Sequence, residues 1–262
     1  MADVILEVHG LRKSFGGVAA VAGVDFAIEQ GRVEAVIGPN GAGKTTLFNL
    51  ITGRFPADRG RVRFMGKEIA SLPPHRISAL GLVRTFQITS IFPRLTVLQN
   101  MQVPLFIARG KAASLFPPAG NRCREEAEGI LCEIGLAEHA ELLAGSLSHG
   151  DQKRLELGIA LVQAPTMLLL DEPTAGMAPA ERKSLLDLLV TVVNRRGLTL
   201  FFTEHDMDVV FSVAERILVM HQGAIIAEGP PEAVRANSDV RRAYLGEARW
   251  RWRSKRLASI TA

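Results

Sequence analysis

LSHGDQ at 147–152, just ahead of LLLDEP at 168–173 and downstream of GPNGAGKT at 38–45, decides how this 262-residue chain is read. Each piece alone suggests a nucleotide phosphate. Gly38, Gly43, Lys44 and Thr45 satisfy G-x-x-x-x-G-K-[ST], with Pro39, Asn40, Gly41 and Ala42 inside the motif and Thr46 after it. VEAVIG (33–38) reads as a short buried strand and TTLFNLITG (45–53) as a helix ending at Gly53. Strand, glycine turn and helix form the context the motif needs. Glycine lets the backbone approach phosphate, and N–H groups at the positive end of the helix hold anionic oxygens. Lys44 is expected to reach the β- and γ-phosphates and the Thr45 hydroxyl to bind Mg²⁺.

MLLLDE (167–172) is an apolar strand that ends in two carboxylates. Asp171 is the expected Mg²⁺ partner and Glu172 the group that polarises the attacking water. Two acids are needed because a carboxylate tied to the metal is a poor base. Ser148 suits the N-cap of a helix running through DQKRLELGIALV. Leu155, Gly158, Ile159 and Val162 recur at helical spacing and give that helix an inward face. Ser148, Gly150 and Asp151 then stand at a second helix start, a second anion site. One chain has no evident need of two phosphate sites for one nucleotide. Two chains packed head to tail do, with the second site capping the γ-phosphate across the interface.

Residues 4–246 resemble an ATP-binding-cassette transporter ATPase, through VIGPNGAGKTT, RTFQ, LSHGDQKRLELGIAL, LLLDEPTAG and TEHD in family order. The resemblance implies ATP and Mg²⁺ as cofactors. It gives Gln87 a lid role, sensing Mg²⁺ and the γ-phosphate, and gives His205 a contact to the γ-phosphate. Phe15 falls where the family places an adenine-stacking aromatic. Two departures stand out. The widespread signature is LSGGQ, and here it is LSHGD, with His149 and Asp151 substituted. After LLLDEP the family carries an aspartate that crosses the dimer interface, and TAGMAP puts Ala178 there. FGGVAAVAGVDF, TLFNLITG, GLVRTFQITSIFPRLTVLQN and GAIIAEGPPEAVR are similar to importer ATPases for branched-chain and other hydrophobic amino acids. That subgroup implies a second ATPase subunit, identical or related. It also implies two separate permease subunits, an extracytoplasmic solute-binding protein acting indirectly, and a place on the inner face of the cytoplasmic membrane. An ATPase of a lipid or lipopolysaccharide extractor is the nearest alternative. A soluble cassette ATPase acting on ribosomes or DNA is less well matched, because only one cassette is present and no sustained heptads occur. A non-catalytic scaffold is disfavoured by intact Lys44, Asp171, Glu172 and His205.

The chain is 47% apolar, enough for a sizeable core. It has no run of about 18 apolar residues to span a bilayer and no signal pattern at its start. Cys123 and Cys132 suggest neither a disulfide framework nor a zinc site, and a reducing cytosol is expected. The net charge of +4 is uneven: Arg249, Arg251, Arg253, Lys255 and Arg256 put five positive charges in the tail and leave 1–248 at −1. No nucleic-acid partner is expected; the tail reads first as a solvated extension, with contact to an anionic membrane surface as the alternative.

Strands are read at 4–8, 24–28, 33–37 and 61–65, bounded by glycine. From about 88 to 163 helical periodicity takes over, and strands resume with MLLLD, LTLFFT, RILVMHQG and AIIAEG. The expected fold is α/β: a phosphate-loop ATPase core (1–87 and 164–246) with a mixed sheet flanked by helices. An α-helical subdomain (88–163) is inserted in it, and a basic tail (247–262) follows. Strands 33–37, 167–171 and 199–203 each end at a motif, which suits ligands at the carboxyl ends of a sheet.

Overall fold

The structure, a computed structural model, describes residues 3–85, 91–108 and 118–245. Gln87 and the basic tail lie outside them. The chain begins with β1 (Val4–Phe15) and β2 (Val18–Glu29), then β3 (Val33–Ile37), α1 (Lys44–Ile51), β4 (Arg59–Phe64), β5 (Lys67–Glu68), α2 (Pro74–Ala79) and β6 (Leu82–Thr85). Next come α3 (Val97–Ala108), α4 (Pro118–Glu133) and α5 (His149–Leu161). It closes with β7 (Met167–Asp171), α6 (Pro179–Arg196), β8 (Thr199–Thr203), α7 (Met207–Val213), β9 (Arg216–His221), β10 (Ala224–Gly229), α8 (Pro231–Ala236) and α9 (Ser238–Leu245).

Two sheets result. The larger has the order β10-β9-β3-β8-β7-β6, parallel except where β10 pairs antiparallel with β9. Its central strands β3, β7 and β8 are buried at every residue, as continuous apolar runs covered on both faces require. The smaller is antiparallel, β2-β1-β4-β5. Side chains alternate across each strand. Ala35 and Ile37 of β3 therefore join a core with Leu155, Leu161, Leu189 and Val193 of α5 and α6. Val36 joins a second core with Leu47, Phe48 and Ile51 of α1 and Leu6, Val8 and Phe64 of the smaller sheet. Helix α1 is thus held between the two sheets.

Two strand expectations need correction. The runs at 4–8 and 24–28 extend to 12 residues each. Gly10 and Gly23, read as strand ends, lie within the paired ribbon, whose register shifts between Val8 and Leu11 and between Leu11 and Arg12. Only Gly16 and Gly17, both at positive φ, turn the chain, as a two-residue hairpin requires. Strand β6 (LVRT) carries a weak sequence signal, because only Leu82 and Val83 of its four residues are fully buried. Among the described residues of 91–163, helices α3–α5 occur and no strand of either sheet.

Candidate active site

Strands β3, β6, β7 and β8 run parallel, so their carboxyl ends open on one edge of the larger sheet. The turn 38–43 leaves β3 there. Gly43 caps α1 at φ 105, and a Cβ on it would come within 2.2 Å of the Ala20 carbonyl oxygen. Only glycine meets both demands. The Gly223 amide donates to the Ala42 carbonyl, and the Ala22 amide to the Gly223 carbonyl, at 3.0 and 2.8 Å. These bonds bind the turn to both sheets. Lys44 is buried, and its Nζ donates to the Gly38 and Pro39 carbonyls at 2.6 and 3.2 Å. The backbone of Gly38, Pro39, Asn40, Gly41 and Ala42 therefore curls round the ammonium. Thr45 and Thr46 follow in the first turn of α1, where helix N–H groups lack intrahelical partners.

Asp171 ends β7 and is 4% exposed. The Thr203 hydroxyl donates to its Oδ1 at 2.8 Å, and Arg84 Nη2 donates to Oδ2 at 2.7 Å. Arg84 Nη1 also donates to Asn49 Oδ1 of α1 at 2.7 Å. Burial pulls the Arg84 guanidinium below its usual range, and Asp171 opposes the fall. Arg84 Nε is buried without a hydrogen-bond partner among the described residues.

Glu172 stands at φ 53, a left-handed conformation unusual for a side chain of its size. Its amide donates to the carbonyl and the hydroxyl oxygen of Thr203, both at 3.1 Å. Those bonds hold the reversal, and the carboxylate meets the ring of His205, with Oε1 2.6 Å from Nε2. A His205 N–H donating there leaves Oε2 of Glu172 for another donor, such as a water. Behind this pair lies Glu204, 4% exposed. Its Oε1 accepts from the amide and hydroxyl of Thr174 at 2.9 and 2.7 Å, and its Oε2 accepts from the His205 amide at 3.2 Å.

Ser148 caps α5: its hydroxyl accepts from the Asp151 amide at 3.1 Å and donates to Asp151 Oδ2 at 2.8 Å. The next residue, His149, brings Nε2 to 3.3 Å from the Ala175 carbonyl. Gly150 is close-packed, with Met177 and Glu181 at 3.5 and 3.6 Å from where a Cβ would stand. Ala178 is exposed, and its amide donates to Glu181 Oε2 at 3.3 Å. Phe15, at the tip of the β1–β2 hairpin, is 45% exposed and meets Phe55 edge-on at 5.8 Å.

The structure thus brings the 38–46 turn, Asp171, Glu172 and His205 to one edge of the sheet. Ser148 and Gly150 stand on the other side of the loop after Glu172. Arg84, Asn49, Thr203, Glu204 and Thr174 were not singled out from sequence. Arg84 and Glu204 do stand inside RTFQ and TEHD, and a charged residue beside a motif was the available signal. The donor set fits Mg²⁺. That ion takes one or two carboxylates and completes its shell with phosphate oxygens and water. Asp171 and the Thr45 hydroxyl offer such partial ligation. No group of three or more His, Cys, Asp or Glu side chains forms a metal cage among the described residues.

A family model described as ABC transporter matches residues 21–175, and one described as branched-chain amino acid ATP-binding cassette transporter matches 224–249. The chain is 42% identical over 255 residues to the high-affinity branched-chain amino acid transport ATP-binding protein BraF of Pseudomonas aeruginosa, covering 95% of this chain and 100% of that protein. With LivG of Escherichia coli (strain K12), which carries the same description, it shares 40% identity over 256 residues, at the same coverage. Among solved structures, the ADP conformation of MJ1267, an ATP-binding cassette of an ABC transporter, matches with a TM-score of 0.82 at 33% identity. The match covers 94% of this chain and all of that one. On a family model spanning 21–175 and relatives aligned over nearly its whole length, this chain belongs to the ABC transporter family.

Proposed function

We propose that this chain is the ATP-hydrolysing subunit of an importer for branched-chain or other hydrophobic amino acids. The transported solute is inferred from the BraF and LivG relatives. The chemistry rests on one observation: Glu172 held against His205 at 2.6 Å, one residue beyond buried Asp171.

Phe15 would stack on adenine, and the 38–46 backbone with Lys44 would grip the phosphates. Asp171 and Thr45, with Gln87 of the lid, would hold Mg²⁺, which when bound offsets charge on the β- and γ-phosphates. Glu172 orients a water through its free oxygen. The water oxygen bonds to the γ-phosphorus as the bond to the β–γ bridging oxygen breaks. ADP leaves with that bridging oxygen, and the water's proton passes by way of Glu172 to the phosphate formed. His205 steadies Glu172 and faces the γ-phosphate. Positioning and charge stabilisation carry most of such a reaction.

Ser148, Gly150 and Asp151 would cap the nucleotide of a second ATPase subunit. A dimeric cassette, MJ0796 bound to ADP and phosphate, shares the fold with a TM-score of 0.74 at 24% identity. Residues 88–163 would act as the helical unit that passes closure to two permeases at the inner face of the membrane. No helix among the described residues is long and apolar enough to cross a membrane.

Glu172→Gln keeps the shape and removes the base. ATP should still bind while hydrolysis falls roughly 10²-fold or more. Near-normal turnover in the purified variant would defeat the assignment. Deleting the gene should impair uptake of leucine, isoleucine or valine. Unchanged uptake together with failed lipid export would replace the solute with a lipid.

A further inference from the structure

Glu204 is a buried acid whose three donors are all neutral: the Thr174 amide, the Thr174 hydroxyl and the His205 amide. Burying a carboxylate is costly unless it is paired and hydrogen-bonded, and here neutral donors supply the bonds. Here one carboxylate joins the backbone of His205 to the loop that follows Glu172. That loop also bears on the start of α5. The Ala175 carbonyl faces His149 Nε2 at 3.3 Å, and Met177 packs against Gly150. A continuous set of contacts therefore runs from His205 through Glu204, Thr174 and Ala175 to His149, beside Ser148.

We infer that Glu204 is a positioning residue that couples the two nucleotide sites of the dimer. It ties His205, which serves this chain's ATP, to the 148–150 segment, which serves the partner's. The inference rests on the function proposed above. When His205 shifts as phosphate departs, its amide draws on Glu204. Thr174, bonded twice to the same carboxylate, then carries the displacement into the loop and onto His149. The loop is fastened at both ends, by buried Thr174 on Glu204 and by buried Met177 against Gly150, and this double anchorage carries the shift across it.

The test is a double-mutant cycle on kcat for ATP hydrolysis, with the KM for ATP measured alongside. Glu204→Gln keeps the volume but replaces one acceptor oxygen with an N–H donor, so either the His205 or the Thr174 side loses its bond. We expect kcat to fall about tenfold, with KM changed by less than about twofold. His149→Ala should lower kcat less. The double variant should be no slower than Glu204→Gln alone, because residues acting in series are non-additive. Losses that multiply, a His149→Ala variant without effect, or a Glu204→Gln defect confined to KM would overturn the inference. If Glu204→Gln does not fold, Thr174→Val takes its place. It removes one of the three bonds, should lower kcat severalfold, and should show the same non-additivity with His149→Ala. Glu172→Gln serves as the control. Undiminished turnover there sinks the proposed function itself, whereas a steep loss there with multiplicative losses in the cycle sinks only the coupling.

Discussion

Replacing Arg84 with methionine leaves Asp171 a buried carboxylate without its counter-charge. The side chains of the pair are 6% and 1% exposed and meet at 2.7 Å. After the change Asp171 keeps, among the described residues, the Thr203 hydroxyl alone, and Asn49 loses its guanidinium donor. Breaking a buried pair by removing one partner costs about 3–5 kcal/mol, because the remaining charge is uncompensated. Arg84 Nε already lacks a hydrogen-bond partner among the described residues, which makes the native pair imperfect and favours about 3 kcal/mol. For a domain of this size that corresponds to a fall in Tm of about 6–12 °C. The double variant Arg84→Met/Asp171→Asn removes both charges. It should recover most of the loss, since neutral replacement of a buried pair is often nearly free of cost. Urea unfolding of the wild type, both single variants and the double variant gives the coupling directly, provided the m-values agree. The double variant should be stable and inactive in hydrolysis, which separates the ion pair's part in folding from Asp171's part in chemistry. A single variant that loses less than about 1 kcal/mol, or a double variant no more stable than Arg84→Met, refutes this reasoning.

Two further outcomes follow from the same physics. Lys44→Ala removes the ammonium from the centre of the turn and should weaken ATP binding by about 10- to 100-fold, the worth of a charge-assisted hydrogen bond; titration calorimetry reads this, and unchanged affinity would contradict it. Glu34, 2% exposed on β3 and paired with Arg216 at 3.1 Å, has its carboxyl pushed by burial from 4.5 up to about 7. A folded-state value above the unfolded one means a contribution present in full below pH about 4.5 and lost as pH rises through about 7. Wild type should therefore lose up to about 3 kcal/mol relative to Glu34→Gln across that window; parallel stability profiles for the two proteins would remove the claim.

The phosphate turn, the acid pair and the histidine after β8 were legible because each sits in a contiguous motif at a strand end. Chemistry that needs neighbouring atoms leaves neighbouring letters. The long hairpin was not legible. Its glycines look like stops, and only the pairing of Leu11 through Phe15 with β2 shows that β1 continues past Gly10. The supports of the site were hidden for a different reason. Arg84 lies 87 positions from Asp171 and Glu204 lies 30 from Thr174. No periodicity joins such residues, and only the sheet order that sets β6 beside β7 and β7 beside β8 brings them together. Solute choice left no trace in the described geometry, because an ATPase subunit need never touch its cargo.

Phe15 belongs to the smaller sheet, whereas the phosphate turn leaves β3 of the larger one. On the proposed reading, a bound nucleotide is a crosslink between two separately hydrogen-bonded sheets. Its base is fastened to one and its phosphates to the other. Ligand that binds only the folded form adds stability with concentration. Here that gain should be concentrated at the seam, where the Ala22–Gly223 and Ala42–Gly223 bonds already stitch the sheets together. Amide exchange at Ala22 and Gly223 should slow most when ATP is added. The fuel would then also act as mortar, and a cell low in ATP would hold a looser form of this protein as well as an idle one.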